Sequence, residues 1–244
     1  ATNPGIGDFI YFLRGTATKS FWKYSLSQNI WIPWNRAKFD ATTPLSQATF
    51  ASYTQGDGNS VLEVDGKLYM LVGGSTTFLT FDAVNNIWKN LPNAPTTISA
   101  GASMVKFDND TIYVESGNFF WKYIISSQTW TSFPIGKSST GKPFSQVGND
   151  NGFGSSNLTQ STGNSITEVN GKFYIIGGAS SIFLRFDPVD NSWFQLTNTP
   201  SGVGAGASLV TSGTNIFVLT GSNQRNFYKY DTLSNSWTTL GNYG

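Results

Sequence analysis

The sequence predicts an all-β fold built from repeated hairpins, the kind of chain that forms a solenoid or a propeller. One observation is an aromatic frame, in which two aromatic residues lie three positions apart and a tryptophan follows seven positions later. A second observation is that turn-forming residues precede each tryptophan, so that each frame reads as strand, tight turn and strand. A third is that one hairpin cannot bury both of its faces alone. Repeated hairpins must therefore stack on one another to form a core.

The aromatic frame occurs five times along the 244 residues. Its copies, each given as first aromatic, second aromatic and tryptophan, are Phe21/Tyr24/Trp31, Phe78/Phe81/Trp88, Phe120/Tyr123/Trp130, Phe183/Phe186/Trp193 and Phe227/Tyr230/Trp237. Their fixed place in every hairpin favours packing between repeats over stacking on sugars or bases. We therefore assign the first aromatic and the tryptophan of each copy to the core. Asp82, Asp187 and Asp231, in the turns before tryptophan, are expected to cap those turns.

A second hairpin precedes the frame and carries the strongest local signal. Residues 60–64 and 67–72 are rich in strand formers and are separated by Asp65-Gly66, a pair that favours a tight hairpin turn. Residues 165–178 repeat this segment almost residue for residue. Each segment ends in a glycine pair, Gly73-Gly74 or Gly177-Gly178, which we assign to a turn before the next strand.

The repeats alternate between two types. Consecutive frame tryptophans are 57, 42, 63 and 44 residues apart, and the longer units contain inserted segments at 35–58 and 135–163. Copies two and four share the glycine pair, whereas copies three and five share Ala-Gly-Ala-Ser at 100–103 and 205–208. We treat residues 1–244 as one domain. Its outer hairpins are expected near residues 20–34, 77–91, 119–133, 182–196 and 226–240.

The order of the segments resembles the kelch repeat. An apolar strand, a turn, a second apolar strand, a glycine pair and an aromatic-Asp run ending in Trp recur with a spacing close to the kelch period of about 50 residues. The resemblance covers nearly the whole chain, although the Arg and His usual between kelch blades are missing. It implies a five-bladed kelch-type β-propeller of four-stranded antiparallel blades. The strand before the Asp-Gly or Asn-Gly turn would be innermost and the Trp strand outermost.

The first blade is expected to lack its inner strand. Four inner strands can be identified, starting near residues 60, 102, 165 and 207, while the other strands occur five times. Only Gly241–Gly244 follow the last outer strand, so the strand exchange that commonly closes kelch-like rings has no obvious donor. Three alternatives remain. Residues 1–7 or 48–54 fold in, the chain is a fragment, or a neighbouring molecule donates a strand.

Composition excludes several classes of function. Charged residues make up 12% and the net charge is +1, without a basic stripe, so nucleic acid is not an expected partner. The chain has no Cys and no His, which removes thiolate catalysis and the commonest metal ligand and general base. No run is apolar enough to span a membrane. Low charge and the sequons at Asn109 and Asn157 favour a secreted, glycosylated protein whose signal peptide has been removed.

The chemistry-bearing residues suggest three functions. The preferred one is a non-catalytic structural or adhesive surface module that binds copies of itself, or other surface proteins, through the incomplete first blade. The runner-up is a lectin-like propeller that stacks glycans on the loop aromatics Tyr53, Phe144 and Phe153. The third is a glycoside-processing enzyme with Glu63 and Glu168 as paired carboxylates, although repetition alone explains their equivalent places. We predict neither a cofactor nor a metal.

Overall fold

The computed structural model of the protein describes residues 9–13, 21–33, 38–39, 58–82, 87–117, 119–132, 137–138 and 162–241. These residues form strands and turns arranged as a five-bladed β-propeller, which confirms the predicted fold class. In the described part of the chain there is no helix long and apolar enough to cross a membrane.

The strands follow the chain from the centre of each blade outwards. Blade one contains β1 (Phe9–Leu13), β2 (Phe21–Ser25) and β3 (Ile30–Pro33). Blade two contains β5 (Ser60–Val64), β6 (Lys67–Leu71), β7 (Phe78–Asp82) and β8 (Ile87–Leu91). Blade three contains β9 (Ser103–Lys106), β10 (Thr111–Ser116), β11 (Phe119–Ile124) and β12 (Thr129–Ser132). Blade four contains β14 (Ser165–Val169), β15 (Lys172–Ile176), β16 (Phe183–Asp187) and β17 (Ser192–Gln195). Blade five contains β18 (Ser208–Ser212), β19 (Asn215–Leu219), β20 (Phe227–Asp231) and β21 (Ser236–Leu240).

Local sequence explains the inner hairpins. Asp65 and Gly66 both have positive φ angles, 49° and 75°, and Asn170 and Gly171 repeat them at 52° and 74°. Two consecutive left-handed residues make the hairpin turn whose twist matches the flanking strands, and Asp-Gly and Asn-Gly are the pairs that adopt it most easily. The inner strands β5, β9, β14 and β18 then lie side by side around the centre, each in contact with the next.

Two short strands extend the even blades. β4 (Lys38–Phe39) pairs in parallel with β8, and β13 (Lys137–Ser138) pairs in parallel with β17. Both belong to the inserted segments, so each insertion contributes one short strand to the outer edge of the following blade. The sequence predicted the insertions but not these parallel pairings, because two-residue strands leave no periodic pattern to detect.

Blade one has three strands among the described residues, in the order β1-β2-β3. Within that part of the chain β1 has β2 as its strand partner and no strand on its inner side. Residues 1–7 and 48–54, the segments that could supply an inner strand, lie outside the described residues, so the absence of that strand stays a prediction.

The core lies between blades rather than within them. We call the side of a blade that meets the preceding blade its leading face, and the side that meets the following blade its trailing face. In blade three the leading face carries Val114 and Tyr123, which pack on blade two, whereas the trailing face carries Val105 and Phe120, which pack on blade four. Alternate residues of a strand point to opposite faces, so one apolar strand serves two cores.

Candidate assembly interface

Each joint between blades is built on one aromatic contact that recurs. The first aromatic of a blade, on its trailing face, receives the second aromatic and the tryptophan of the next blade. Phe78 of blade two lies 4.9 Å from Tyr123 and 5.0 Å from Trp130, measured between ring centroids. Edge-on ring contacts at this distance are favourable, each by about 0.5–1.5 kcal/mol beyond the burial of area.

The next two joints repeat this geometry. Phe120 lies 5.1 Å from both Phe186 and Trp193. The same contact between blades four and five places Phe183 at 4.8 Å from Tyr230 and 5.1 Å from Trp237. The centroid distances at the three joints agree within a few tenths of an ångström. At each of them, the trailing face is covered by the second aromatic and the tryptophan of the next blade.

The receiving side of every such joint is an aromatic pair. The first aromatic packs beside an aromatic of the preceding strand, as in Tyr69–Phe78, Tyr113–Phe120 and Tyr174–Phe183, with centroids 6.0, 5.6 and 5.9 Å apart. Blade five has the same pair, Phe217–Phe227, at 5.9 Å. Blade five therefore carries a complete receiving surface.

The trailing face of blade five is open to solvent. Val210 is 61% exposed and Leu219 is 39% exposed, and Phe217 and Phe227 are partly exposed. In blade four, by contrast, Ile176, Tyr174 and Phe183, which are equivalent to Leu219, Phe217 and Phe227, are buried under blade five. Exposed apolar area on a sheet face costs free energy unless another surface covers it.

The leading face of blade one carries an aromatic pair like those that pack on a trailing face at the other joints. Tyr24 and Trp31 lie 5.0 Å apart, close to the 4.9 Å between Tyr123 and Trp130 in blade three. Trp31 is 53% exposed, and Ile10 on the same face is also 53% exposed. We call these two surfaces, the trailing face of blade five and the leading face of blade one, the terminal faces.

The frame tryptophans occupy different environments. Trp88 and Trp193 are 1% and 0% exposed, whereas Trp130 and Trp237 are partly buried. The indole N–H groups of the latter two donate to the carbonyl oxygens of Pro92 and Thr197, 2.8 Å away in each case. Trp31 differs from the expected core position, since its side chain is 53% exposed and no blade covers its face among the described residues. The first aromatics Phe78, Phe120 and Phe183 are buried, Phe227 is partly exposed, and Phe21 pairs with Leu13 in the first hairpin.

The two glycine pairs are one residue out of register. The amides of Gly73 and Gly178 donate to the side-chain oxygens of Asn59 and Asn164, so these two glycines are equivalent. Gly74 is therefore matched by Ala179 and not by glycine, and both residues have positive φ. The remaining member, Gly177, is equivalent to Val72.

Glu63 and Glu168 each accept a hydrogen bond from the turn of their own hairpin. Glu63 Oε1 accepts a hydrogen bond from the amide of Gly66 at 2.6 Å, and Glu168 Oε1 accepts one from Gly171 at 2.5 Å. They lie in blades two and four, on either side of blade three. Two of the three expected caps of the tryptophan turns are present, since Asp187 accepts from the amide of Val189 and Asp231 from that of Leu233. The turn that follows Asp82 lies outside the described residues, so that cap stays a prediction.

Asn109, the acceptor of the first sequon, is exposed. Asn157 of the second sequon and the loop aromatics Tyr53, Phe144 and Phe153 lie outside the described residues. No group of three or more Asp, Glu, His or Cys that could hold a metal occurs within the described ranges.

The sequence patterns did not predict that the carboxyl group of Glu115 is buried. Glu115 is 1% exposed and pairs with Phe120 across β10 and β11, in the place that Leu71, Ile176 and Leu219 occupy in their blades. Its Oε1 accepts a hydrogen bond from Asn164 Nδ2 at 2.8 Å, and Oε2 has no partner among the described residues. Burial raises the pKa of Glu115 to about 8, although the Asn164 bond lowers it. Aligning the repeats would have indicated this residue, because the equivalent position is apolar in blades two, four and five.

Comparison with known proteins supports the fold. Neither a family model nor a curated protein matches the sequence. Among solved structures, one described as the structure of YjhT aligns with 77% of this chain and 66% of its own length, with a TM-score of 0.57 and 16% sequence identity. This chain therefore spans about two thirds of that structure. At such low identity the likeness shows the propeller fold alone.

Proposed function

We propose that this protein is a non-catalytic, kelch-type propeller that associates with copies of itself through its terminal faces. The observation that carries the proposal is the pair of half-joints. Phe217–Phe227 forms a receiving pair on blade five, and Tyr24 with Trp31 forms an entering pair on blade one, both in the geometry used three times inside the molecule. The trailing face of one molecule would bind the leading face of the next.

The two terminal faces differ from each other, so the joint would be heterologous. Each molecule carries one receiving and one entering face, and a heterologous contact that does not close on itself propagates as a chain of molecules. Such propagation would suit a structural or adhesive assembly. Other surface proteins with a similar blade could bind in the same way.

The inner side of β1, which has no partner strand among the described residues, would contribute a second contact. Within the described residues blade one has three strands where the other blades have at least four. An extended segment from the neighbouring molecule would add main-chain hydrogen bonds there and complete the blade. This strand complementation would also remove an edge that otherwise invites unspecific pairing.

The roles of Glu63 and Glu168 support a non-catalytic protein. Each carboxylate is used by a turn amide of its own hairpin, which explains its place in the repeat without a substrate. An extracellular or cell-surface location, with glycan attached at the exposed Asn109, remains part of this proposal.

Analytical ultracentrifugation of terminal-face variants tests the association. Val210→Lys places a charge on the trailing face of blade five, and Ile10→Lys does the same on the leading face of blade one. Val189→Lys is the matched control, because Val189 is 82% exposed and lies in a turn of blade four outside both faces. We expect the wild-type protein and the control to gain mass with concentration, and the two face variants to remain monomeric.

A mixture of the two variants sharpens the test. Each variant retains one intact terminal face, so Val210→Lys and Ile10→Lys should form a one-to-one dimer and nothing larger. A wild-type protein that stays monomeric at high concentration would refute the proposal, as would an equal effect of the control substitution. A mixture that does not dimerise would refute the heterologous joint.

A further inference from the structure

A cavity of about 380 Å³ lies at the outer side of the joint between blades two and three. Its walls include Lys67, Thr80, Lys89, Tyr123 and Gln128. The volume falls within the range of sites that hold small molecules. It lies on neither terminal face, so it is independent of the proposed assembly.

The repeat shows why the space is open. Tyr69, Thr80 and Lys89 pair across β6, β7 and β8 in the way that Tyr174, Arg185 and Phe194 pair across β15, β16 and β17. At the joint between blades four and five, Arg185 extends its guanidinium over the Phe194 ring, 4.3 Å from the centroid. Thr80 is several atoms shorter than arginine, so no side chain from this position fills the corresponding volume between blades two and three.

Blade three differs from the other blades at a second position, Gln128, and beside this cavity the hydroxyl of Tyr123 has no hydrogen-bond partner among the described residues. In blade five the hydroxyl of Tyr230 donates to Asn235 Oδ1 at 2.5 Å, and in blade one Tyr24 donates to Asn29. Blade three has Gln128 at this turn position, with the same left-handed backbone. Tyr123 is 0% exposed, and its hydroxyl has no hydrogen-bond partner among the described residues.

A buried hydroxyl without a partner costs about 1–3 kcal/mol, which an incoming acceptor would recover. Two departures from the repeat, Thr80 and Gln128, thus converge on one cavity. One removes the side chain that fills the space, and the other removes the acceptor of Tyr123.

The charges around the cavity favour a neutral ligand. Lys67 and Lys89 are exposed at its rim. Two carboxylates lie near the same wall: after burial, the larger cause, the charges of Asp65 and Asp110 raise the pKa of the lining residue Tyr69, whereas its side-chain hydrogen bond with Thr80 lowers it. The cavity therefore has charges of both signs around it. Asp110 also accepts hydrogen bonds from the amide and hydroxyl of Ser126, at 2.7 and 2.8 Å.

We propose that the cavity binds a small neutral polyol of monosaccharide size, with one ligand oxygen accepting the hydrogen bond of Tyr123. The amides of Asn90 and Gln128 and the hydroxyl of Thr80 offer both donors and acceptors, which suits a ligand that carries hydroxyl groups on every side. Leu91 and Ile125 provide an apolar wall for the C–H face of a sugar ring.

Calorimetric titration with glucose, galactose, mannose and, as anions, acetate and inorganic phosphate tests the site. We expect at least one of the sugars to bind with a dissociation constant of about 1–10 mM. Thr80→Arg introduces the residue that fills this space in blade four and should weaken binding at least about tenfold. Gln128→Asn supplies the acceptor found in blades one and five and should weaken it as well.

Val189→Arg serves as the control for adding an arginine, and near-ultraviolet circular dichroism checks that each variant is folded. If Thr80→Arg does not fold, Gln128→Asn decides the outcome. The proposal fails if no sugar binds, if the anions bind and the sugars do not, or if both cavity variants bind as the wild type does.

Discussion

Replacing Glu115 by glutamine should remove most of the pH dependence of the protein's stability between about pH 5 and pH 8. The carboxyl is 1% exposed and its pKa is raised to about 8 by burial, whereas in the unfolded chain its pKa is near 4.5. Below about pH 4.5 both states hold the proton, and stability does not depend on this group. As the pH rises from there towards 8, the unfolded chain loses the proton and the folded protein keeps it, so folding becomes less favourable.

The size of the effect follows from the two pKa values. A carboxyl whose pKa rises from 4.5 to about 8 on folding costs about 5 kcal/mol once the pH is well above 8. Between about pH 5 and pH 8 the wild type should therefore lose about 4 kcal/mol, a large share of the stability of an ordinary domain. Glutamine keeps the oxygen that accepts the Asn164 bond but cannot ionise, so its stability should be nearly flat.

Urea unfolding followed by tryptophan fluorescence at a series of pH values measures this difference. The chain contains no histidine, so no imidazole titrates between about pH 5 and pH 8 and adds its own change in stability to that of Glu115. Glu115→Leu, which restores the residue type found at Leu71 and Leu219, should also be flat. Parallel pH profiles for the wild type and Glu115→Gln would show that the carboxyl is not buried in its neutral form, and the reasoning would fail.

Two further predictions concern packing and backbone. Trp193→Ala should cost about 3–5 kcal/mol in urea unfolding, because the indole is 0% exposed between blades three and four, whereas Trp31→Ala in the dilute monomer should cost less than half as much. Equal costs would contradict the assignment of the terminal face. Gly163→Ala should cost about 1–3 kcal/mol, since φ is +114° and a Cβ would lie 2.1 Å from the carbonyl oxygen of Gly204. Gly213→Ala, with φ +58° and open space, is the control and should cost about 1 kcal/mol in the same unfolding assay.

Sequence patterns were enough to predict the turns, the number of blades and all the strands except the two-residue β4 and β13. Asp65-Gly66 can close a tight hairpin because glycine adopts the left-handed region without strain and aspartate tolerates it, so the turn is local chemistry. The aromatic frame repeats because each blade must present the same side chains to its neighbour. Strand periodicity and turn chemistry both depend on a few neighbouring residues, so a short stretch of sequence is enough to predict them.

Which copies of the frame are buried, and which polar groups are enclosed with them, depends on how the blades pack against one another. Trp31 and Trp193 occupy the same place in the frame, yet one is 53% exposed and the other 0% exposed, because burial depends on whether a neighbouring blade is present. Glu115 is enclosed with Asn164, a residue of another blade that donates to its carboxylate, and the Tyr123 ring is buried against Phe78 of the preceding blade. Contacts between blades join residues far apart in the chain, and no local pattern encodes which of them will meet.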